Sequence, residues 1–432
     1  MTQVRHQQTD YSIRSLMDVD FYKLTMAYFI FKFHRGTNVK FQLINRDKDI
    51  PLARIIPIEA LREQLDHVRT LRFRRTDLYY LRGMDIYGKN MFDEEYLTFL
   101  STLQLGDYEL CKNGDQYELT FEGPWEVVTF WETIALAIIS ELYYRELMKK
   151  MTGTEISIMY GRATDKLYNK LKFIGTTDAK VVDFGQRRRH SFLWQKNAIE
   201  MAKEVLKNNF VGTSNTWFAF NQDLVPVGTN AHELPMVVTA LADNDEEKRM
   251  AQYNILLEWE KLYGEGLRIM LPDTYGSAQF YNNMPENLAE RFSRTWRGQR
   301  QDSGDVFIET NRYIEWLKKM GLTSEDIMKK VNIFSDGLDD RPIVELQSAY
   351  VGKIIPSFGW GTKLTNDFVG CVPNEDPLFR PFSMVCKVVE ADGNAAVKLS
   401  NNIGKATGPE EEIKRYIKIF GDEGRGEQVV EV

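Results

Sequence analysis

The chain has 432 residues, of which 43% are hydrophobic and 27% charged, and its formal net charge is −7. Such a length supports two or three domains around a large core, and the acidic balance excludes a general binder of nucleic acid or membrane surfaces, which needs a basic face. Three cysteines, Cys111, Cys371 and Cys386, show no metal-ligand spacing and point to a reducing, cytoplasmic setting.

In chain order, Ser15 to Met26 places capping residues ahead of an apolar period near four, which predicts a helix. The apolar stretch from Phe21 to Phe33 is broken by Lys23 and Lys32, lacks a small-residue cleavage site and is too short to span a bilayer. It is expected as an aromatic-rich helix inside the protein. Val39 to Ile44 and Tyr117 to Phe121 alternate like strands with one buried face. Phe130 to Met148 predicts a long, mostly apolar helix that carries the chain into the next domain.

From Glu155 onward short apolar runs alternate with helical segments. The predicted strands are 156–160, 180–184, 210–213, 225–228, 267–271, 296–300, 331–335 and 354–358. Strand–helix alternation gives parallel strands with crossover helices, and so many units predict closure into an irregular barrel. Phe382 to Ala391 and Ala395 to Ser400 predict a last strand pair that packs back on the N-terminal region. The expected fold is α/β: an N-terminal α/β domain (1–145), an irregular α/β barrel (146–375), and a C-terminal segment (376–432) whose strands complete the first domain.

Each predicted barrel strand ends in polar or glycine-rich residues. Ligands of parallel sheets sit outside those ends, where helix N-termini offer backbone N–H groups to anions. Two Gly-Thr pairs, Gly212-Thr213 and Gly228-Thr229, mark such ends and point to a phosphorylated ligand. The second leads into His232, one of five histidines in the chain. A helix-start histidine usually just bonds backbone. Here the strand end behind it, and Glu233 able to accept from the imidazole and fix its tautomer, favour a nucleophilic or phosphate-facing role. His190 reads instead as a polar residue opening a helix.

Arg187, Arg188 and Arg189 follow Asp183-Phe184-Gly185 and form a potential clamp for carboxylate or phosphate, with at least one of the three expected on a solvated face. Phe184 offers a ring on which a planar heterocycle can stack. Between Arg300 and Asp305 a cation alternates with two carboxylates. Asp302 or Ser303 is a good helix cap, but capping leaves Arg300 unexplained, whereas a sugar diol or a magnesium-bound polyphosphate would use both acids. Asp336-Gly337 and Gly359-Trp-Gly-Thr362 are small-residue turns where backbone can approach phosphate. No Walker-type G-x-x-x-x-G-K-[ST] and no dinucleotide G-x-G-x-x-G is present.

Eight motifs run in one order: Asp20 to Met26, Asp183 to Arg189, Gly212 to Asn215, Gly228 to Glu233, Asp273 to Tyr275, Arg300 to Asp305, Phe334 to Gly337 and Phe358 to Thr362. Together they resemble the nicotinate phosphoribosyltransferase family, of the type II phosphoribosyltransferases. The resemblance implies a homodimer with active sites shared between subunits. It implies the joining of nicotinate to 5-phosphoribosyl 1-pyrophosphate, giving nicotinate mononucleotide and pyrophosphate for NAD biosynthesis, with ATP consumed through a phosphohistidine at His232. By the same resemblance, Phe184 stacks on the pyridine, with Tyr22 of the partner subunit on its other face. Arg187, Thr229 and Arg300 hold nicotinate or the ribose phosphate, Asp302 meets the ribose or its magnesium, and Gly337, Gly361 and Thr362 hold the 5-phosphate. Mg2+ is expected to arrive with the diphosphate rather than through a side-chain motif. The nicotinamide-using relative has an acid in the first Gly-Thr motif; Ser214 and Asn215 here, with arginines nearby, suit a carboxylate, since the wrong ligand would leave buried groups unpaired. The alternatives left open are a nicotinamide or quinolinate enzyme of the same fold, and a non-catalytic sensor of pyridine nucleotides.

Overall fold

The computed structural model describes residues 10–88 and 91–428. Helix Phe21–Phe33 has no continuous polar face and is buried from Phe21 through Phe31, as a helix of that pattern is when it packs inside a protein core. Helix Trp131–Met148 is similar. The stretch Trp125–Met148 is long and apolar enough to cross a membrane, but 94% of its most apolar window is buried within the protein, which makes it a core element.

The first sheet is antiparallel, in the order β12-β11-β1-β3-β2. Its strands are β1 (Asn38–Asn45), β2 (Tyr108–Asn113), β3 (Gln116–Pro124), β11 (Met384–Ala391) and β12 (Asn394–Ala395). Burial alternates along β1, as its sequence pattern requires. Phe41 faces Phe121 on β3, and Leu43 faces Cys386 on β11, so the C-terminal chain adds a strand beside the N-terminal one. The strand predicted over 395–400 shrinks to β12. Beyond it the backbone N–H groups of Leu399 and Ser400 donate to the Thr274 carbonyl, leaving the ladder for a loop of the second sheet.

The second sheet is parallel, in the order β6-β5-β4-β10-β9-β8-β7. It comprises β4 (Lys180–Asp183), β5 (Phe210–Thr213), β6 (Val225–Pro226), β7 (Ile269–Met270), β8 (Gly298–Gln301), β9 (Val331–Phe334) and β10 (Ile355–Trp360). The first and last strands in the chain, β4 and β10, pair with each other, so the sheet curls. The open seam of this half-barrel falls between β6 and β7, which are two residues long and do not pair among the described residues. Helices Glu233–Leu241 and Asp245–Leu262 fill the chain between those two strands.

Seven of the eight predicted barrel strands are present. The eighth, 156–160, lies inside helix Gly153–Ile174. Its start is a Thr152/Glu155 capping box, a T-x-x-E signal that outranks a short apolar run, and Met159, Tyr160, Ala163 and Leu167 are buried with helical spacing.

Candidate active site

All seven parallel strands deliver polar residues to one rim. Phe184 and Arg187 follow β4, Ser214 follows β5, Thr229 and His232 follow β6, and Asp273 and Thr274 follow β7. Arg300 lies in β8 with Asp302 just beyond it; Asp336 and Gly337 follow β9, and Gly361 and Thr362 follow β10. Convergence at the carboxyl ends is what parallel topology dictates.

Two adjoining cavities share Phe184, Arg187 and Arg300. The more apolar one adds Tyr22, Val227 and Ile333, with Asp20, Ser214 and Thr229 as its further polar groups. The more polar one adds Asp302, Asp336, Gly337, Gly361, Thr362 and Arg188. Every residue expected to bind substrate or phosphate thus lines one cavity or the other. Tyr22 requires a correction: it lines the cavity from the same chain as Phe184, not from across a subunit boundary. Helix Phe21–Phe33 is carried there by the Phe21 N–H, which donates to the Ser214 carbonyl at 2.6 Å.

Local packing fixes the cavity walls. A Cβ on Gly359 would stand 2.3 Å from the Phe184 ring, so β10 must present bare backbone for the ring to lie there. The Arg300 Nε is buried without a hydrogen-bond partner among the described residues, which leaves a cationic donor for a ligand to satisfy.

His232 is buried beside the polar cavity. Its Nε2 lies 3.1 Å from Asp302 Oδ2 and 3.6 Å from Asp273 Oδ1, and its Nδ1 lies 2.9 Å from the Thr274 hydroxyl. Burial pushes the imidazole down to about 4, Lys398 lowers it further, and Asp273 and Asp302 pull the other way. The ring is therefore neutral near pH 7. Burial raises Asp302, but Arg300 and the His232 bond outweigh it and hold the carboxyl well below the usual range. Helix Val306–Lys319 is capped by Asp305, so neither Asp302 nor Ser303 is consumed as its cap.

Glu233 does not accept from the imidazole as expected. Its carboxylate takes the Lys23 ammonium at 2.5 Å and the Trp125 indole N–H at 2.6 Å, in a buried network that includes Glu132. At the first position of helix Glu233–Leu241 its side chain meets Lys23 and Trp125, whereas His232 at the N-cap meets Thr274 and Asp302. The three consecutive arginines divide among separate partners, and the Arg187 side chain keeps 40% of its surface exposed. Arg189 is fully buried in a two-pronged bond to Asp18, Arg188 donates to the Met384 carbonyl, and Arg187 approaches Glu132 at 3.7 Å while lining both cavities. His190 is buried in an aromatic cluster against Phe368 and Tyr160, and Ser191 caps the helix after it.

Residues outside the predicted set complete the rim. Asp273 and Thr274 orient His232, although neither was singled out within its motif. Lys405 donates to Asp336 at 2.6 Å, and Arg46 reaches the Lys405 carbonyl. Lys387 and Lys398 are near enough to feel Arg46, and Lys398 is near enough to feel Asp302 and Asp273. These four cations come from β1 and the C-terminal chain, far in sequence from the strand ends. The available signal was Lys387 between Cys386 and Val388 in the β11 run.

His232, Asp273 and Asp302 present ligand atoms within 4.8 Å of one another. Asp273 Oδ1 is buried with no hydrogen-bond partner among the described residues. Two carboxylates beside a phosphate-sized cavity fit Mg2+, which favours oxygen ligands shared with substrate phosphates; the imidazole is the poorer donor for it.

The nicotinate phosphoribosyltransferase (NAPRTase) family pattern matches residues 179–423, and the pattern of that family's N-terminal domain matches residues 17–140. The chain belongs to the nicotinate phosphoribosyltransferase family. A crystal structure of nicotinate phosphoribosyltransferase from Porphyromonas gingivalis is 26% identical, with a TM-score of 0.82 over 95% of this chain and 100% of the other. One from Vibrio cholerae is 28% identical, with a TM-score of 0.82 over 96% and 95%. Family membership makes the chain a phosphoribosyltransferase.

Proposed function

We propose that this enzyme joins nicotinate to 5-phosphoribosyl 1-pyrophosphate, releasing nicotinate mononucleotide and pyrophosphate in NAD biosynthesis or salvage, in the cytoplasm. The observation that carries this reading is the shared wall of the two cavities. Tyr22 and Phe184 offer rings to a pyridine in one, glycine turns and hydroxyls receive a sugar phosphate in the other, and Arg187 and Arg300 serve both.

The ring nitrogen attacks C1 of the ribose as the C1–oxygen bond to pyrophosphate breaks, and the electron pair leaves on the pyrophosphate. No proton moves. Catalysis is then mostly positioning and charge stabilisation: Asp302 faces the developing ribose cation, and Arg46, Lys387, Lys398 and Lys405 receive the leaving charge. Asp302 and Asp273 would hold Mg2+ with the phosphate oxygens. The ion, when bound, adds positive charge against the leaving group.

ATP enters as the donor of a phosphoryl group to His232. With its proton on Nδ1 and accepted by the Thr274 oxygen, the neutral imidazole supplies the Nε2 lone pair, the γ-phosphorus–oxygen bond breaks, ADP leaves, and water later hydrolyses the phosphohistidine. The phosphoryl group adds roughly −1.5 to −2 charges at the rim, close to Lys398, and so reorganises the cations that hold the diphosphate.

A pyrophosphate-release assay with nicotinate and with nicotinamide, each with and without ATP, tests the reading. The expected result is release with nicotinate, stimulated by ATP. Equal turnover of nicotinamide, or pyridine binding with no release, overturns it.

A further inference from the structure

Asp20 stands immediately before helix Phe21–Phe33, where an aspartate ordinarily accepts a first-turn backbone N–H. Its carboxylate makes no such bond. It turns instead into the apolar cavity, where Oδ1 accepts the Ser214 hydroxyl at 2.5 Å, and Oδ2 has no donor among the described residues. Ser214 is held on both backbone sides, its N–H donating to the Asp183 carbonyl and its C=O accepting from Phe21. Only its hydroxyl is free to turn.

The groups facing Asp20 come from three sides. Arg187 and Asp183 approach from β4 and its loop, Glu132 from helix Trp131–Met148, and Tyr22 from its own helix. Lys23 is tied to Glu132 and Glu233. Burial is the largest influence and pushes the Asp20 carboxyl up to about 6; Arg187 and the Ser214 bond lower it, and Asp183 and Glu132 raise it.

A hydroxyl has one proton to give. While Ser214 spends it on ionised Asp20, its oxygen shows the cavity lone pairs only, which accept from an amide N–H and repel a carboxylate. A proton on Asp20 reverses the pair: the acid donates to Ser214 Oγ, and the serine donates onward to the ligand.

We propose that Asp20 and Ser214 form a proton-operated selector between acid and amide, in which nicotinate binding takes one proton from water onto Asp20 and turns the Ser214 hydroxyl to the ligand carboxylate. This rests on the reading that the ring substrate is nicotinate and that its carboxylate lies at Ser214. Asp20 is then a positioning residue, acting through the serine. Preference for the acid weakens as pH rises, because the proton that binding requires becomes scarcer.

The test uses the full-length protein. Calorimetric titration of nicotinate at about pH 7.5, in two buffers of different ionisation enthalpy, is expected to show uptake of about one proton per ligand. In the pyrophosphate-release assay between about pH 6.5 and about pH 8.5, the KM for nicotinate is expected to rise toward about tenfold per unit, with kcat not following it. Asp20→Asn, whose amide donates to Ser214 without titrating, is expected to flatten that KM profile. Nicotinate binding with no proton uptake, or an Asp20→Asn profile as steep as the parent's, overturns the inference and leaves the proposed reaction standing. If the variant does not fold, the proton count on the parent protein decides. Failure to bind nicotinate at all removes the proposed reaction and the selector together.

Discussion

His232 Nε2 lies 3.1 Å from Asp302 Oδ2 across the seam between β6 and β7, the one edge of the curled sheet that its own strands leave open. At rest, because Asp302 is held ionised, the neutral imidazole carries its proton on Nε2 and donates it there, while Nδ1 accepts the Thr274 hydroxyl; attack through Nε2 uses the other tautomer, in which Nδ1–H donates to the Thr274 oxygen. Thr274→Val keeps the shape and removes that acceptor, which disfavours the attacking tautomer. We expect it to lower acid-labile labelling of the protein by γ-labelled ATP by about 10- to 100-fold. His232→Ala is expected to abolish the labelling and the ATP stimulation while a slow ATP-independent reaction survives. Unchanged labelling in His232→Ala would end the phosphohistidine assignment.

Glu233 neighbours His232 in sequence and serves another purpose. Its removal leaves the fully buried Lys23 with Glu132 as its remaining carboxylate and strips the acceptor from the Trp125 indole. Breaking such a buried pair costs about 3 kcal/mol or more. Glu233→Ala is therefore expected to lower the urea midpoint clearly, while the folded fraction still takes label at His232. A variant of parental stability that has lost labelling would restore the catalytic role read from sequence.

The parallel strands and their polar tips were legible because short apolar runs ending in Gly-Thr, Arg-x-Asp or Gly-Trp-Gly carry their own boundary signals. Phe184, Arg187, Arg300 and Asp302 were found that way. Side-chain direction was not legible. Glu233 is adjacent to His232, yet one step along a helix start turns it by about 100° to a different set of partners. Arg189 was expected in a clamp and instead bonds Asp18, a pairing across 171 positions that no local pattern announces. The lysines at the rim were missed for the same reason: β11 reaches it only by pairing with β1, some 340 positions away.

Lys387, close enough to Lys398, Arg187 and Arg46 to feel their charge, is expected to give the diphosphate side of the site a pH dependence of its own. Burial lowers its ammonium to about 7; Glu132 opposes this, and Lys398, Arg187 and Arg46 reinforce it. The charged form, present below that value, is the one a polyanion prefers, so binding takes up a proton and weakens as pH rises past about 7. Inorganic pyrophosphate, used as a competitive inhibitor, should lose affinity more steeply with pH in the parent than in Lys387→Arg, where the charge persists. Pyrophosphate's own ionisation is common to both proteins, so the difference in slope isolates the lysine. Parallel slopes would remove Lys387 from the diphosphate site.

Gly359 tests whether the Phe184 ring is a wall of the ring-binding cavity or only part of the core. A Cβ at that position would lie 2.3 Å from Phe184 Cδ2 and 2.9 Å from Cγ, too near the root of the side chain for a small rotation of the ring edge to relieve it. The backbone of β10 is fixed by parallel pairing to β4, with Gly359 opposite Val182 and Trp360 opposite Asp183, so the ring is the part that gives way. Gly359→Ala is expected to tilt Phe184 into the cavity and raise the KM for nicotinate by about tenfold, the scale of one lost aromatic contact of about 1.4 kcal/mol. The KM for 5-phosphoribosyl 1-pyrophosphate should change much less. Phe184→Ala should share this signature, and Phe130→Leu, buried at 1% exposure and lining neither cavity, should not. If Gly359→Ala instead raises both KM values together, β10 has slipped along β4 and carried Gly361 and Thr362 with it. The strand, not the ring, would then be what the glycine protects.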